Sequence, residues 1–298
     1  MSPPNRPLQG VLWMVATGLC FVAVTGIVKY AAQDLPAAEA AFLRYLLGLA
    51  FLLPLARTLL RVRMGRRDLL LFALRGAVHA VAVALWFYSM LRLPVAEVTA
   101  MNYLAPVYVT VGAALFLGER LAWPRVLAIA VALVGMLVVL RPGFRELLPG
   151  HLTMLLTTVM MGASYLLMKP LSGRHSAPVV VAMLSVGVTI GLAPLAALDW
   201  VRPGAADLGW MGLVALFATA GHYTMTRAFA AAPVAVTQPV TFLQLIWAVA
   251  LGRIAFGEPL DGWVVLGGAV IMGAVSFIAW REARMSRFTT PSPNAVKG

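Results

Sequence analysis

Long apolar blocks alternate with short polar joins along the chain, and the blocks set the architecture. Ten runs stay apolar over about twenty residues each, the length of helix that crosses the hydrocarbon core of a bilayer. They lie near residues 9–31, 36–56, 68–91, 95–117, 122–140, 150–171, 177–198, 207–230, 234–256 and 262–281. Strands of a membrane barrel would alternate over about ten residues, so the runs predict spanning helices. Turn chemistry marks the joins, among them Asp34-Leu35-Pro36, Leu93-Pro94, Arg141-Pro142-Gly143, Pro149-Gly150, Arg202-Pro203-Gly204, Ala232-Pro233 and Glu258-Pro259. The first run follows a Pro-rich start without a small-residue cleavage site, which predicts that it is retained. Residues 282–298 are polar and are expected to form a disordered cytoplasmic tail.

Composition agrees with the pattern. Of 298 residues, 61% are hydrophobic and 11% charged, against roughly 25% charged in soluble chains. That excludes intrinsic disorder, a nucleic-acid-binding module and a disulfide scaffold. The net charge of +12 would suit a polyanion, but the basic residues sit mainly in the joins. Fifteen of the 23 lie on the N-terminal side of the expected bundle and six on the other, with Arg44 and Arg75 inside spans. This bias predicts cytoplasmic termini. The single cysteine, Cys20, lies in an apolar run and supports neither a disulfide nor a cysteine-based metal site.

The sequence repeats itself. At an offset of 140, Gly10, Leu12, Met14, Thr17, Lys29 and Pro54-Leu55-Ala56 meet Gly150, Leu152, Met154, Thr157, Lys169 and Pro194-Leu195-Ala196. At 139, Pro94-Val95-Ala96 meets Pro233-Val234-Ala235, and Gly118-Glu119 meets Gly257-Glu258. The expected organisation is a cytoplasmic segment 1–8, a first five-helix repeat 9–141, a second 150–281 and the tail. Five spans per half is an odd number, so equivalent helices run in opposite directions. Inverted repeats let two halves exchange conformations and expose one central site to either side, a device of secondary transporters.

The ten-helix layout, Arg44-Tyr45 in the second span, Leu93-Pro94-Val95-Ala96 entering the fourth, and the helix ends Gly118-Glu119-Arg120-Leu121 and Gly257-Glu258-Pro259-Leu260 resemble the drug/metabolite transporter superfamily, EamA family. The resemblance covers about residues 9–281. It implies an all-α integral membrane fold and small-molecule export across a bacterial inner membrane. The implied pocket is lined by helices three, four, eight and nine with their neighbours one and six. Within the family the chain looks most like YddG-type exporters of aromatic amino acids.

Polar residues inside spans mark the expected route, because a polar side chain facing lipid costs free energy that a wet pathway spares. Arg75, His79 and Trp86 share one face of span three, and His79 lies about 17 Å along it, near mid-membrane. Span eight carries His222 and Tyr223. Pro106 and Pro239 interrupt spans four and nine, each removing a backbone donor and freeing a carbonyl. Around these breaks lie Met101, Asn102 and Tyr103 in one half and Gln238, Thr241, Gln244 and Trp247 in the other. Asn102 and Gln244 each donate and accept, which suits a zwitterion. Trp86, Tyr103, Tyr165 and Trp247 could sandwich a ring or an ammonium group. The candidate substrate-binding set is therefore His79, Trp86, Met101, Asn102, Tyr103, Tyr165, His222, Tyr223, Gln238, Thr241, Gln244 and Trp247. Each also has a plainer role open to it, as interhelical glue or packing. Arg44 is expected to anchor a helix interface, Glu97 to cap a helix, and Lys29 and Lys169 to snorkel outward at span ends.

With so few cations at mid-depth, the expected substrate is neutral or zwitterionic. Amphipathic drugs or other metabolites are the alternative cargo. No H-E-x-x-H, G-x-S-x-G, P-loop or G-x-G-x-x-G occurs, and acidic residues do not cluster in the spans, so an enzyme is not expected. A passive channel would not need broken helices in an inverted repeat. No cofactor, metal or nucleic-acid partner is expected. The partners are a small-molecule substrate and the lipid bilayer. The spacing of Ala269 and Gly273 fits packing within a monomer, the expected state, or against a second copy.

Overall fold

A computed structural model describes residues 6–55, 62–118, 122–232 and 234–289. Within them every named element is helical: α1 (Pro7–Ala31), α2 (Ala37–Gly48), α3 (Arg66–Arg92), α4 (Val95–Asn102), α5 (Ala105–Leu117), α6 (Trp123–Leu140), α7 (Pro149–Ser172), α8 (Ala177–Leu198), α9 (Ala205–Ala231), α10 (Val234–Thr237), α11 (Leu243–Phe256) and α12 (Gly262–Thr289). A 3₁₀ turn, Leu49–Leu55, continues α2, and another, Gln238–Phe242, joins α10 to α11. The helices group into the ten expected spans. Nine of them, among the described residues, are long and apolar enough to cross a bilayer. The tenth, α9, has the length at 27 residues but carries Asp207, His222 and Arg227.

Span ends agree with the sequence expectation to within two residues everywhere except at the last. There the helix continues to Thr289, eight residues past the expected stop at Arg281. The correction has a physical basis: no Gly or Pro interrupts 282–289, and Arg284 stacks on Trp280 one turn earlier, 5.5 Å from the ring centroid. The remaining expected tail, 290–298, lies outside the described residues.

The two halves interleave symmetrically. α1 packs on α9, and its repeat partner α7 packs on α3, the partner of α9. Span two meets span seven, four meets nine and five meets ten. These are the pairs that remain unchanged when the halves exchange. Glycines show the same relation at atomic scale. A Cβ on Gly10 would overlap that of Ala232 at the end of α9, and one on Gly150 would lie 2.9 Å from Leu93 Cγ at the end of α3. Gly118 and Gly257, also repeat partners, both end helices in the left-handed region, at φ 68° and 63°. Only glycine enters that region without a Cβ penalty. The fold is thus two inverted five-helix repeats.

One end of the bundle is tied by ions. Lys29 Nζ donates to Glu258 Oε1 and to the Leu93 carbonyl, both at 2.6 Å. Glu258 Oε2 accepts from the Val95 amide at 2.9 Å, capping the first turn of α4 from the other half. Lys29 therefore does not snorkel outward as expected. Glu97 does not cap its own helix either. It accepts two bonds from Arg145, at 2.7 and 2.9 Å, and stands 2.8 Å from His151 Nε2. Arg141 pairs with Asp261 nearby. At the opposite end Asp68 meets Arg174 at 2.6 Å and His175 at 3.0 Å.

Candidate binding cavity

The interrupted helices are placed opposite one another. Span four breaks at Tyr103-Leu104, between α4 and α5, with Pro106 at the second position of α5. Span nine breaks across the 3₁₀ turn that contains Pro239. A backbone forced out of regular pairing exposes hydrogen-bonding groups, and here one such group is used across the seam. The Tyr103 hydroxyl donates to the Thr241 carbonyl at 3.1 Å, joining the two breaks. In this seat Tyr103 is only 8% exposed.

Beside this junction is a cavity of about 250 Å³, just under the roughly 300–1,000 Å³ usual for small-molecule sites. Its walls come from both halves. α1 supplies Phe21 and Val24, and α2 supplies Arg44 and Tyr45. α3 contributes His79, Val83 and Trp86, and the first break contributes Asn102, Tyr103 and Pro106. Facing them are Met161 and Tyr165 of α7, His222 and Met225 of α9, Thr241 and Gln244 at the second break, and Met272 and Val275 of α12. His79 lies at the midpoint of its helix, and Trp86, Tyr165 and His222 lie about one to two turns past the midpoints of theirs. A second hollow shares Pro106, Tyr165 and Val275 and continues past Val109 and Thr110 to Ile278 and Ala279. It runs away from the end tied by Glu97 and Glu258.

Polar contacts define what the walls can do. His79 Nδ1 lies 3.0 Å from the Ser164 hydroxyl, which fixes the ring and leaves Nε2 for the cavity. The His222 ring meets Phe21 edge-on at 5.2 Å between centroids. The Trp86 indole nitrogen is buried with no acceptor among the described residues. The Arg44 guanidinium lies 3.9 Å from the centre of the Tyr45 ring. One turn before His79, Arg75 is 3% exposed and donates to the Val180 carbonyl at 3.2 Å.

Eight of the twelve residues singled out from sequence line this one cavity: His79, Trp86, Asn102, Tyr103, Tyr165, His222, Thr241 and Gln244. Three others are elsewhere. Met101 is fully buried in the main apolar core. Tyr223 is 55% exposed on the outer face of α9, packed edge-on against Trp13 and accepting from Arg227 at 2.8 Å. Trp247 is 36% exposed and does not line the cavity. In an α-helix neighbours in sequence are about 100° apart, so Asn102 and His222 face inward while Met101 and Tyr223 turn away. The Gln238 side chain lies outside the described residues. Sequence reasoning missed Tyr45, and it assigned Arg44 to a helix interface. The signal available was the pair itself, a cation and a ring adjacent inside an apolar span.

An inverted pair of five-helix repeats around a shared central cavity defines a multi-pass membrane transporter. The comparison with known families is specific. The model of the EamA-like transporter family matches residues 8–141 and again 148–280, so the chain belongs to that family. A riboflavin transporter of Rhizobium johnstonii is 31% identical over 95% of this chain and 95% of its own length. A riboflavin transporter of Vibrio cholerae is 28% identical over 96% and 98%. A pseudopaline exporter of Pseudomonas aeruginosa is 25% identical over 89% and 94%. A crystal structure of 17% identity superposes with a TM-score of 0.60 over 98% of this chain and 100% of that one, a likeness of fold. The class is therefore transport of small metabolites and not catalysis. These relatives are not named for aromatic amino acids, so the finer resemblance drawn from sequence is not what they support.

Proposed function

We propose that the protein is a secondary transporter of the bacterial inner membrane that moves a flat, ring-bearing metabolite through the central cavity by alternating access. The observation that carries this reading is the meeting, in one small chamber at the seam of the repeats, of ring faces with hydrogen-bonding side chains. Phe21, Tyr45, Trp86 and Tyr165 offer surfaces for stacking, while Asn102, Gln244, His79 and His222 can read the edge of a ring. A flavin-type ring such as riboflavin has this shape, with carbonyl and ring-nitrogen acceptors along a planar edge, and the relatives named for riboflavin support it. Aromatic amino acids are the second reading, favoured by Arg44 beside an aromatic face, a seat for a carboxylate next to a ring. Direction follows the gradients imposed on a carrier. The charge bias of the joins supports cytoplasmic termini, and on that reading the ion-tied end faces outside and the open hollow faces the cytoplasm.

Counterflow in proteoliposomes tests the reading. Liposomes loaded with unlabelled riboflavin should accumulate labelled riboflavin saturably, and excess phenylalanine or tryptophan inside or outside reports the second reading. Absence of saturable counterflow for any ring-bearing metabolite would overturn the proposal.

A further inference from the structure

The cavity's polar balance is lopsided. Arg44 brings five N–H donors, yet makes no ion pair, and no Asp or Glu side chain lines the cavity among the described residues. The acid closest in sequence, Glu39, is fully buried and spends Oε2 on the Val201 amide at 2.9 Å. Five residues from Arg44 on one helix, it points to a different face. The Trp86 Nε1–H is a buried donor without an acceptor among the described residues. Arg75, one turn from His79 but outside the cavity lining, is another guanidinium with no carboxylate partner among the described residues. A cation held at mid-depth in a membrane protein is costly unless something compensates it, and such residues mark substrate routes. A buried donor left without a partner likewise calls for an explanation.

We infer that Arg44 is the specificity-determining residue of the cavity: held against the Tyr45 ring, it docks a coplanar pair of acceptor atoms on the substrate, with Trp86 Nε1–H as a further donor. This rests on the transporter reading above and names its substrate class as acceptor-bearing aromatics, against aromatic amines and cationic drugs. The planar fork of a guanidinium matches paired acceptors that a point charge cannot reproduce. Stacking on Tyr45 fixes the fork's plane, so little orientation is lost when substrate arrives. Two sources supply this chemistry. One is the carboxylate of an aromatic acid. The other is the carbonyl and ring-nitrogen edge of a flavin.

The test uses full-length protein in liposomes, with counterflow of riboflavin, indole-3-acetate and tryptamine measured for the parent, Arg44→Gln, Arg44→Lys and Tyr45→Leu. The parent is expected to carry one or both acceptor-bearing compounds and to carry tryptamine poorly. Arg44→Gln should raise the half-saturating concentration of the carried acceptor compound about tenfold, the scale of one charge-assisted fork. If a carboxylate is the cargo, Arg44→Lys recovers the part of that loss carried by charge but not the part carried by the fork. If a flavin edge is the cargo, Arg44→Lys stays as poor as Arg44→Gln. Tyr45→Leu, which removes the platform and keeps the charge, should weaken the same compound without improving tryptamine. Monodisperse elution and an unchanged unfolding midpoint identify variants that have folded. Saturable counterflow that is equal in the parent and Arg44→Gln overturns the assignment and leaves the transporter reading standing, as does a parent that prefers tryptamine. No counterflow of any of the three in the parent overturns the substrate class itself.

Discussion

Glu97 offers the sharpest test of how the bundle is held closed at one end. Its carboxylate is 6% exposed, and it accepts from both terminal nitrogens of Arg145 and stands against His151, itself 3% exposed. Its pairing with Glu97 raises the Arg145 pKa above the ordinary arginine value. Glu97→Ala removes the common partner of two groups and strands them. Breaking a buried pair in this way costs about 3–5 kcal/mol, and because the Arg145 side chain retains 22% exposure water recovers part of that, leaving about 2–3 kcal/mol. Glu97→Gln keeps the shape and one acceptor and should cost roughly 1 kcal/mol, the scale of an ordinary hydrogen bond. Reversible unfolding of purified protein in mixed micelles, followed by tryptophan fluorescence, measures both. Arg145→Ala on top of Glu97→Ala should add far less than it does alone, because the residues share one interaction. A Glu97→Ala protein within about 0.5 kcal/mol of the parent, or strictly additive effects, would refute the reasoning that this cluster is a fastening rather than a surface ornament.

Other expectations concern packing and the route. Gly10→Ala should destabilise by about 1–3 kcal/mol and more than Gly150→Ala, because the first meets the fixed Cβ of Ala232 and the second the movable end of Leu93; equal or negligible effects in micelle unfolding would contradict the close approach. Tyr103→Phe deletes the bond to the Thr241 carbonyl and should cost only about 0.6 kcal/mol in stability, while changing counterflow rates several-fold; unchanged rates would detach the two helix breaks from transport. His79→Ala should abolish or redirect counterflow in a folded protein, and kinetics identical to the parent would move the pocket elsewhere. Cysteines at Arg63 and Arg174 should react with impermeant reagent only from the cytoplasmic face and one at Arg145 only from outside; a common face for all three would end the five-plus-five inversion.

The spans were legible because each is a long apolar block closed by Pro, Gly or charge, and the repeat showed itself in residues that chance rarely aligns, such as Lys29 with Lys169. Helical spacing put His79 and Trp86 on one helix face, and both line the cavity, while the prolines announced the two breaks. What sequence could not supply was rotation. Met101 and Tyr223 sit one residue from cavity side chains and face away, and of Gln244 and Trp247, three residues apart on α11, only Gln244 reaches the cavity. Arg44 escaped for a different reason. A lone arginine in a span reads as an anchor until the neighbouring helices show that a cavity, and not a carboxylate, faces it. The ion-tied end was equally opaque, since Lys29 meets Glu258 and Glu97 meets Arg145 only after the halves are assembled.

Substrate protection tests the central claim most directly. In a Cys20→Ser background, single cysteines replace Tyr45 in the first half and Met225 in the second, and their reaction with a thiol reagent is timed with and without the compound that shows counterflow. The cavity account predicts that saturating compound slows both reactions together, with half-protection at the concentration that half-saturates the same variant's transport. Labelling that proceeds unhindered at both positions, or transport that survives a bulky adduct on both, would contradict it.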